Sequence, residues 1–78
     1  MSRTALSLVT AGDRCVVLEI APEHLELKSR LYALGIIPGT ALQILRFAPL
    51  GDPMQVKVGS SFVSIRKQEA SAIIVEKQ

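Results

Sequence analysis

The chain has 78 residues, a hydrophobic content of 49% with no Trp, and nine Lys and Arg against seven Asp and Glu. We expect residues 1–78 to form a single domain, since this length is near the lower limit at which one core holds a fold without disulfides or metals. The net charge of +2 is too small to imply nucleic-acid binding on its own.

The cysteine content and the hydropathy pattern indicate a cytoplasmic protein. Cys15 is the only cysteine, so an internal disulfide is impossible and a reducing compartment is favoured. No apolar run approaches the roughly 18 to 20 residues that span a bilayer, and the first residues lack the pattern of a cleaved signal peptide. We therefore expect no direct membrane insertion.

The first half of the chain predicts a strand followed by a helix. Residues 14–21, RCVVLEIA, are typical of a mostly buried strand. Pro22 suits the first position of a helix, and leucines at i, i+4 and i+7 from Leu27 form an apolar stripe. Glu26 and Arg30 are predicted to pair along this helix.

The second half predicts three strands, one helical or 3₁₀ turn and a last strand. In order, these cover residues 40–47, 54–59, 61–66, 67–72 and 73–76. Gly59-Ser60 predicts a hairpin turn. Five short strands cannot bury their edges as a flat sheet, so we expect a mainly β fold, a small closed or half-closed five-stranded barrel with one helix inserted between strands 1 and 2.

The string LYALGIIPGT predicts a sharp corner between the helix and the second strand. Gly35 ends the helix in a left-handed conformation, Pro38 prevents its continuation, and Gly39 supplies the positive φ of a type II turn. Consecutive residues leaving a helix cannot both face one core, so at least one of Ile36 and Ile37 is expected to be exposed. The alternative is that both isoleucines seal the end of the barrel beneath the helix.

An exposed apolar cluster at this corner would form a partner-binding site. We expect the loop at residues 48–53, APLGDP, to adjoin it. The residues of this hypothesis are Tyr32, Leu34, Ile36, Ile37, Pro38, Pro49 and Leu50.

No residue pattern indicates an enzyme, a cofactor or a metal site. His24 is the only histidine, and with Cys15 it has no spacing typical of metal ligands. No glycine-rich phosphate loop is present, and no nucleophile has a recognisable base. A modest basic stripe is expected from Arg46, Lys57, Arg66 and Lys67. Solvated strands explain these charges as well, and few aromatics are available for stacking on bases. We therefore expect no nucleic-acid partner.

Three strings of the sequence resemble the ferrous iron transport protein A (FeoA) family. They are LKSRLYALGIIPGT, APLGDP and SIRKQEASAIIVE, in that order, and the resemblance extends over about residues 12–76. It implies an SH3-like barrel with a helical insertion and a non-enzymatic cytoplasmic accessory of bacterial ferrous iron uptake. The implied partner is FeoB, a membrane protein with a GTP-binding domain that imports ferrous iron. The alternative is a free-standing SH3-like module that binds RNA or another soluble protein.

Overall fold

Six strands form one antiparallel sheet in the computed structural model, which describes residues 2–78. The strands are β1 (Arg3–Ala5), β2 (Arg14–Ile20), β3 (Ala41–Phe47), β4 (Met54–Val58), β5 (Ser61–Ile65) and β6 (Ile73–Lys77). The helices are α1 (Leu25–Ala33) and α2 (Lys67–Ala70), and a 3₁₀ turn covers Leu6–Leu8. The sheet order is β1-β6-β2-β3-β4-β5. The fold is therefore mainly β, with α1 between β2 and β3, as predicted.

The sheet has six strands where five were predicted, and of the closed and half-closed forms expected for the barrel the closed one is not observed over residues 2–78. The three residues of β1 pair with β6, and so short a segment shows no alternation from which a strand could be predicted. Within the described residues no ladder joins the two outer strands, β1 and β5. The sheet therefore stays open at this seam.

The core is built by alternation along the strands. In β4, Met54 and Val56 are buried while Lys57 is exposed, as the alternation of apolar and polar residues in MQVKV indicates. The largest fully buried side chains are Leu6, Leu31, Ile36, Leu42, Ile44, Met54, Ile65 and Ile73. They come from the sheet, from α1, from the 3₁₀ turn and from the chain after α1, so one aliphatic cluster unites these elements.

Helix α1 begins later than predicted. Pro22 lies in a turn in which the His24 N–H donates to the Ala21 carbonyl, 3.2 Å away, and the first helical residue is Leu25. Proline fits such a turn as readily as the first turn of a helix, because both use its fixed φ. The sequence signal was therefore ambiguous.

Helix α2 links α1 to the loop between β3 and β4. Arg30 forms an ion pair with Glu69 of α2 in place of the predicted pair with Glu26. The Lys67 N–H at the start of α2 donates to Asp52 Oδ1 of the loop at 2.9 Å. These contacts connect three segments that are distant in sequence.

Candidate partner-binding surface

The chain leaves α1 through a Schellman motif, a helix ending closed by two backbone hydrogen bonds across a left-handed residue. Gly35 has φ of +87°, and its N–H donates to the Tyr32 carbonyl at 3.0 Å. The Ile36 N–H donates to the Leu31 carbonyl at 2.9 Å. In this motif the residue after the left-handed one packs back on the last turn, and Ile36 and Leu31 are accordingly both in the core.

A type II turn follows directly and is fastened to its surroundings. Gly39 has φ of +93°, and the Thr40 N–H donates to the Ile37 carbonyl at 3.0 Å, which confirms the predicted turn. The Thr40 hydroxyl donates to the Gly35 carbonyl at 3.1 Å and accepts from the Ile37 N–H at 3.2 Å. The Gly39 N–H also donates to the Val17 carbonyl of β2 at 2.7 Å. The backbone around the two isoleucines is therefore fixed by hydrogen bonds with the Thr40 side chain and with strand β2.

This geometry separates the two isoleucines. Ile36 is 0% exposed and Ile37 is 42% exposed, so one faces outward and the alternative with both sealed in the core is wrong. Ile36 has no accessible surface and is removed from the binding hypothesis. Tyr32, Leu34 and Pro38 are exposed beside Ile37 in sequence; we call Tyr32, Leu34, Ile37 and Pro38 the apolar corner.

Pro49 and Leu50 are exposed at the other end of β3. Leu50 is 97% exposed. The loop that carries them is closed by the Gly51 N–H donating to the Ala48 carbonyl at 2.7 Å and joins α2 through Asp52. No hydrogen bond connects it with the apolar corner among residues 2–78. Pro49 and Leu50 therefore remain a separate part of the binding hypothesis.

Two features of the surface were not predicted. The Thr40 hydroxyl closes the corner, and its position directly after Pro-Gly was the available signal. Leu8, Leu25 and Phe62 are large apolar side chains exposed away from the predicted cluster. For Phe62 the signal was present in the sequence, since Val63 and Ile65 share one face of the strand and Phe62 alternates with them.

The side chains weighed as metal ligands lie in unlike places. His24 is exposed at the start of α1, whereas Cys15 is buried in β2. Burial raises the pKa of the Cys15 thiol, which keeps it protonated and unreactive at neutral pH. In the described part of the chain, no three His, Cys, Asp or Glu side chains converge in a way that could hold a metal.

Asp13 has a structural role next to β2. Its carboxylate accepts from the Thr10 N–H at 2.9 Å and from the Thr10 hydroxyl at 3.1 Å. The Lys77 ammonium lies 3.4 Å away. The backbone hydrogen bond is the largest of the causes that lower the Asp13 pKa, and the ionised carboxylate thus fastens the turn before β2 to β6.

Comparison with known families decides what this fold is. A family model described as the FeoA domain matches residues 4–77. The chain belongs to the FeoA family. The FeoA protein of Chlorobium tepidum is 40% identical, over 95% of this chain and 70% of that one, with a TM-score of 0.85.

Two other FeoA relatives bear on fold and function. The FeoA of Stenotrophomonas maltophilia, solved with zinc and described as a prokaryotic SH3 domain protein, is 26% identical over 94% of this chain and 89% of that one, with a TM-score of 0.80. The SH3-like prediction is confirmed. A Fe(2+) transport protein A/Fe(2+) transporter FeoB fusion protein of Porphyromonas gingivalis is 28% identical over 91% of this chain. The chain spans 8% of that relative's length. Membership of the FeoA family implies an accessory role in ferrous iron transport.

Proposed function

We propose that this FeoA-family protein is a non-enzymatic cytoplasmic accessory of ferrous iron uptake that binds a FeoB-type membrane GTPase and transporter through the apolar corner. The observation that carries the proposal is the difference in burial between the neighbouring residues Ile36 and Ile37. The backbone is locked by hydrogen bonds, and it buries Ile36 while it presents Ile37 to solvent.

The apolar corner has the properties of a preorganised binding surface. Exposed apolar clusters rimmed by polar residues mark sites of protein contact. The Lys28 ammonium lies 5.6 Å from the centre of the Tyr32 ring, within the range of a cation–π contact, and supplies a polar rim. A surface that is already rigid loses little conformational entropy on binding, so even a small cluster can contribute useful affinity.

The choice of partner is supported by the fusion relative. In the Porphyromonas gingivalis protein, FeoA and FeoB are parts of one chain. Linking two modules raises their effective concentration to the millimolar range for a short flexible linker. Two domains that are linked in one chain can therefore interact through a small surface of low affinity. The apolar corner would provide such a surface.

The absence of catalysis is part of the proposal. The shifted pKa values of Asp13 and Cys15 have structural causes, namely the hydrogen bonds from Thr10 and burial in β2. An accessory that acts by contact needs no acid–base pair.

The test is iron uptake in cells that depend on the FeoB-type transporter and carry variants of this protein. Ile37→Asp and Leu34→Asp should reduce uptake while both variants stay folded at the assay temperature, since both side chains are already partly exposed, Leu34 to 45% and Ile37 to 42%. The matched control is Leu8→Asp, which places the same charge at a leucine that is 73% exposed outside the apolar corner. Normal uptake with folded Ile37→Asp and Leu34→Asp would exclude the apolar corner as the contact.

A further inference from the structure

Strand β5 is a free edge of the sheet. It pairs with β4 on one side and stands last in the sheet order. Among residues 2–78, no backbone hydrogen bond outside the β4–β5 ladder involves residues 61–65. One side of this strand is therefore open to another chain.

The hairpin turn determines which residues of β5 face the open side. Gly59 has φ of +60°, and the two-residue turn makes Val58 and Ser61 a pair that exchanges both hydrogen bonds. Bonded and non-bonded pairs alternate from there. The N–H and C=O groups of Phe62 and Ser64 consequently point away from β4, and both residues are exposed, Phe62 to 70%.

The edge lacks the features that protect such strands. Natural edge strands carry charges, prolines or bulges, or are very short. The sequence of β5, SFVSI, has no charge and no proline, and its register with β4 is continuous. The other outer strand, β1, has three residues and starts with Arg3. The unprotected edge is therefore specific to β5.

The sheet face beside this edge is basic. Cross-strand register places Phe62 opposite Lys57 and Ser64 opposite Gln55, which in turn lies opposite Arg46. Strands β3, β4 and β5 contain these two cations and no acidic residue. Neither cation has an ion-pair partner in the described residues, and Arg46 Nε donates to Gln55 Oε1 at 3.0 Å.

The row through Phe62 continues to a third cation. Lys57 lies opposite Gln43, and Gln43 lies opposite Arg14 of β2. Arg14, Gln43 and Lys57 are among the residues that line one hollow of about 390 Å³. A chain that paired with β5 would lie next to the row of residues that contains Lys57 and Arg14.

We propose that β5 binds an extended, acidic segment of a protein partner as a seventh strand of the sheet. Backbone groups of Phe62 and Ser64 would pair with the segment, as in other cases of strand addition. Carboxylates at every second position of the segment would lie on the sheet face that carries Phe62 and Ser64. Lys57 and Arg46 on that face would attract them. A second copy of this chain suits the edge less well, because β5 contributes no acidic side chain to meet those cations. The inference goes beyond the proposed FeoB contact and uses no residue of the apolar corner.

The test is amide hydrogen exchange, followed by NMR, with a synthetic peptide in which Glu alternates with Thr. The amides of Phe62 and Ser64 should become protected in the presence of this peptide, and its affinity should fall as salt is raised. A peptide with Lys in place of Glu should bind at least about tenfold more weakly, since like charges repel. Equal binding of the two peptides, or binding of the Glu peptide without protection of both amides, would contradict the proposal.

Variants of Ser64 separate strand addition from simple charge attraction. Ser64→Pro removes an N–H that points away from β4, a position at which edge strands accept proline, and should weaken binding of the Glu peptide about three- to tenfold. Ser64→Ala is the matched control and should bind like wild type. If Ser64→Pro does not fold, the exchange measurement on the wild type still decides. Protection that grows with protein concentration alone would assign the edge to a second copy, and displacement of the peptide by a single-stranded oligonucleotide would assign the face to nucleic acid; either result overturns the proposal.

Discussion

The division between Ile36 and Ile37 predicts very different costs for the same truncation at neighbouring positions. Ile36→Ala removes a fully buried side chain that packs at the end of α1, and such truncations cost about 2–5 kcal/mol. Ile37 is 42% exposed, so about half of the 1.5–3 kcal/mol gained by fully burying an isoleucine is at stake, roughly 1 kcal/mol. A domain of 78 residues has a free energy of unfolding of about 4–12 kcal/mol, so only Ile36→Ala endangers the fold.

Thermal melts followed by circular dichroism measure this difference directly. For a domain of this size, 1 kcal/mol corresponds to about 4–8 °C in Tm. Ile36→Ala should therefore lower Tm by about 10 °C or more, and Ile37→Ala by no more than about 8 °C. Ile36→Val is the control for size, with an expected cost of about 0.5–1.5 kcal/mol. Equal shifts in Tm for the two alanine variants, or a larger shift for Ile37→Ala, would refute the assignment of Ile36 to the core and of Ile37 to the surface.

Three further predictions address the turn, the ionised carboxylate and the two residues excluded as ligands. Gly39→Val should cost about 1–3 kcal/mol in urea melts, because a β-branched residue is strained at φ of +93° although its Cβ would meet no atom within 4 Å; an unchanged midpoint would refute the turn. Because the folded pKa of Asp13 lies below 3.8, its charge stabilises the fold above that value and ceases to do so as the pH falls through the folded pKa. Asp13→Asn should therefore be less stable than wild type at pH 7, with a difference that shrinks at acidic pH, and a pH-independent difference would contradict this. His24→Ala should retain normal iron uptake, and Cys15 should react with a thiol reagent only on unfolding. Loss of uptake in folded His24→Ala would contradict the exclusion of His24 as a ligand, and rapid labelling of native Cys15 would contradict its burial.

The strands and the turns were predictable because each depends on local patterns. The alternation in MQVKV defined the buried face of β4, and the glycine and proline positions defined the corner. The burial of Ile36 was also accessible, since recognising Gly35 as the left-handed residue of a helix end implies that the next residue packs on the last turn. Ile36 therefore does not belong to the exposed cluster, because it is the residue that packs on the last turn of α1.

The features that were missed depend on partners distant in sequence. β1 is too short to show a period, and it is a strand because β6 offers an edge. Arg30 pairs with Glu69, 39 residues away, rather than with its neighbour on the helix. The open edge of β5 follows from the sheet order, and no local pattern states which strand is last.

Direct binding between this protein and a FeoB-type transporter tests the central claim most closely. In a titration of the purified full-length transporter with labelled protein, the wild type should bind saturably. Ile37→Asp should weaken binding at least about tenfold, because a charge at the centre of a small apolar contact is left desolvated, whereas Leu8→Asp should bind like wild type. Unchanged binding of a folded Ile37→Asp variant, or no saturable binding of the wild type, would contradict the account.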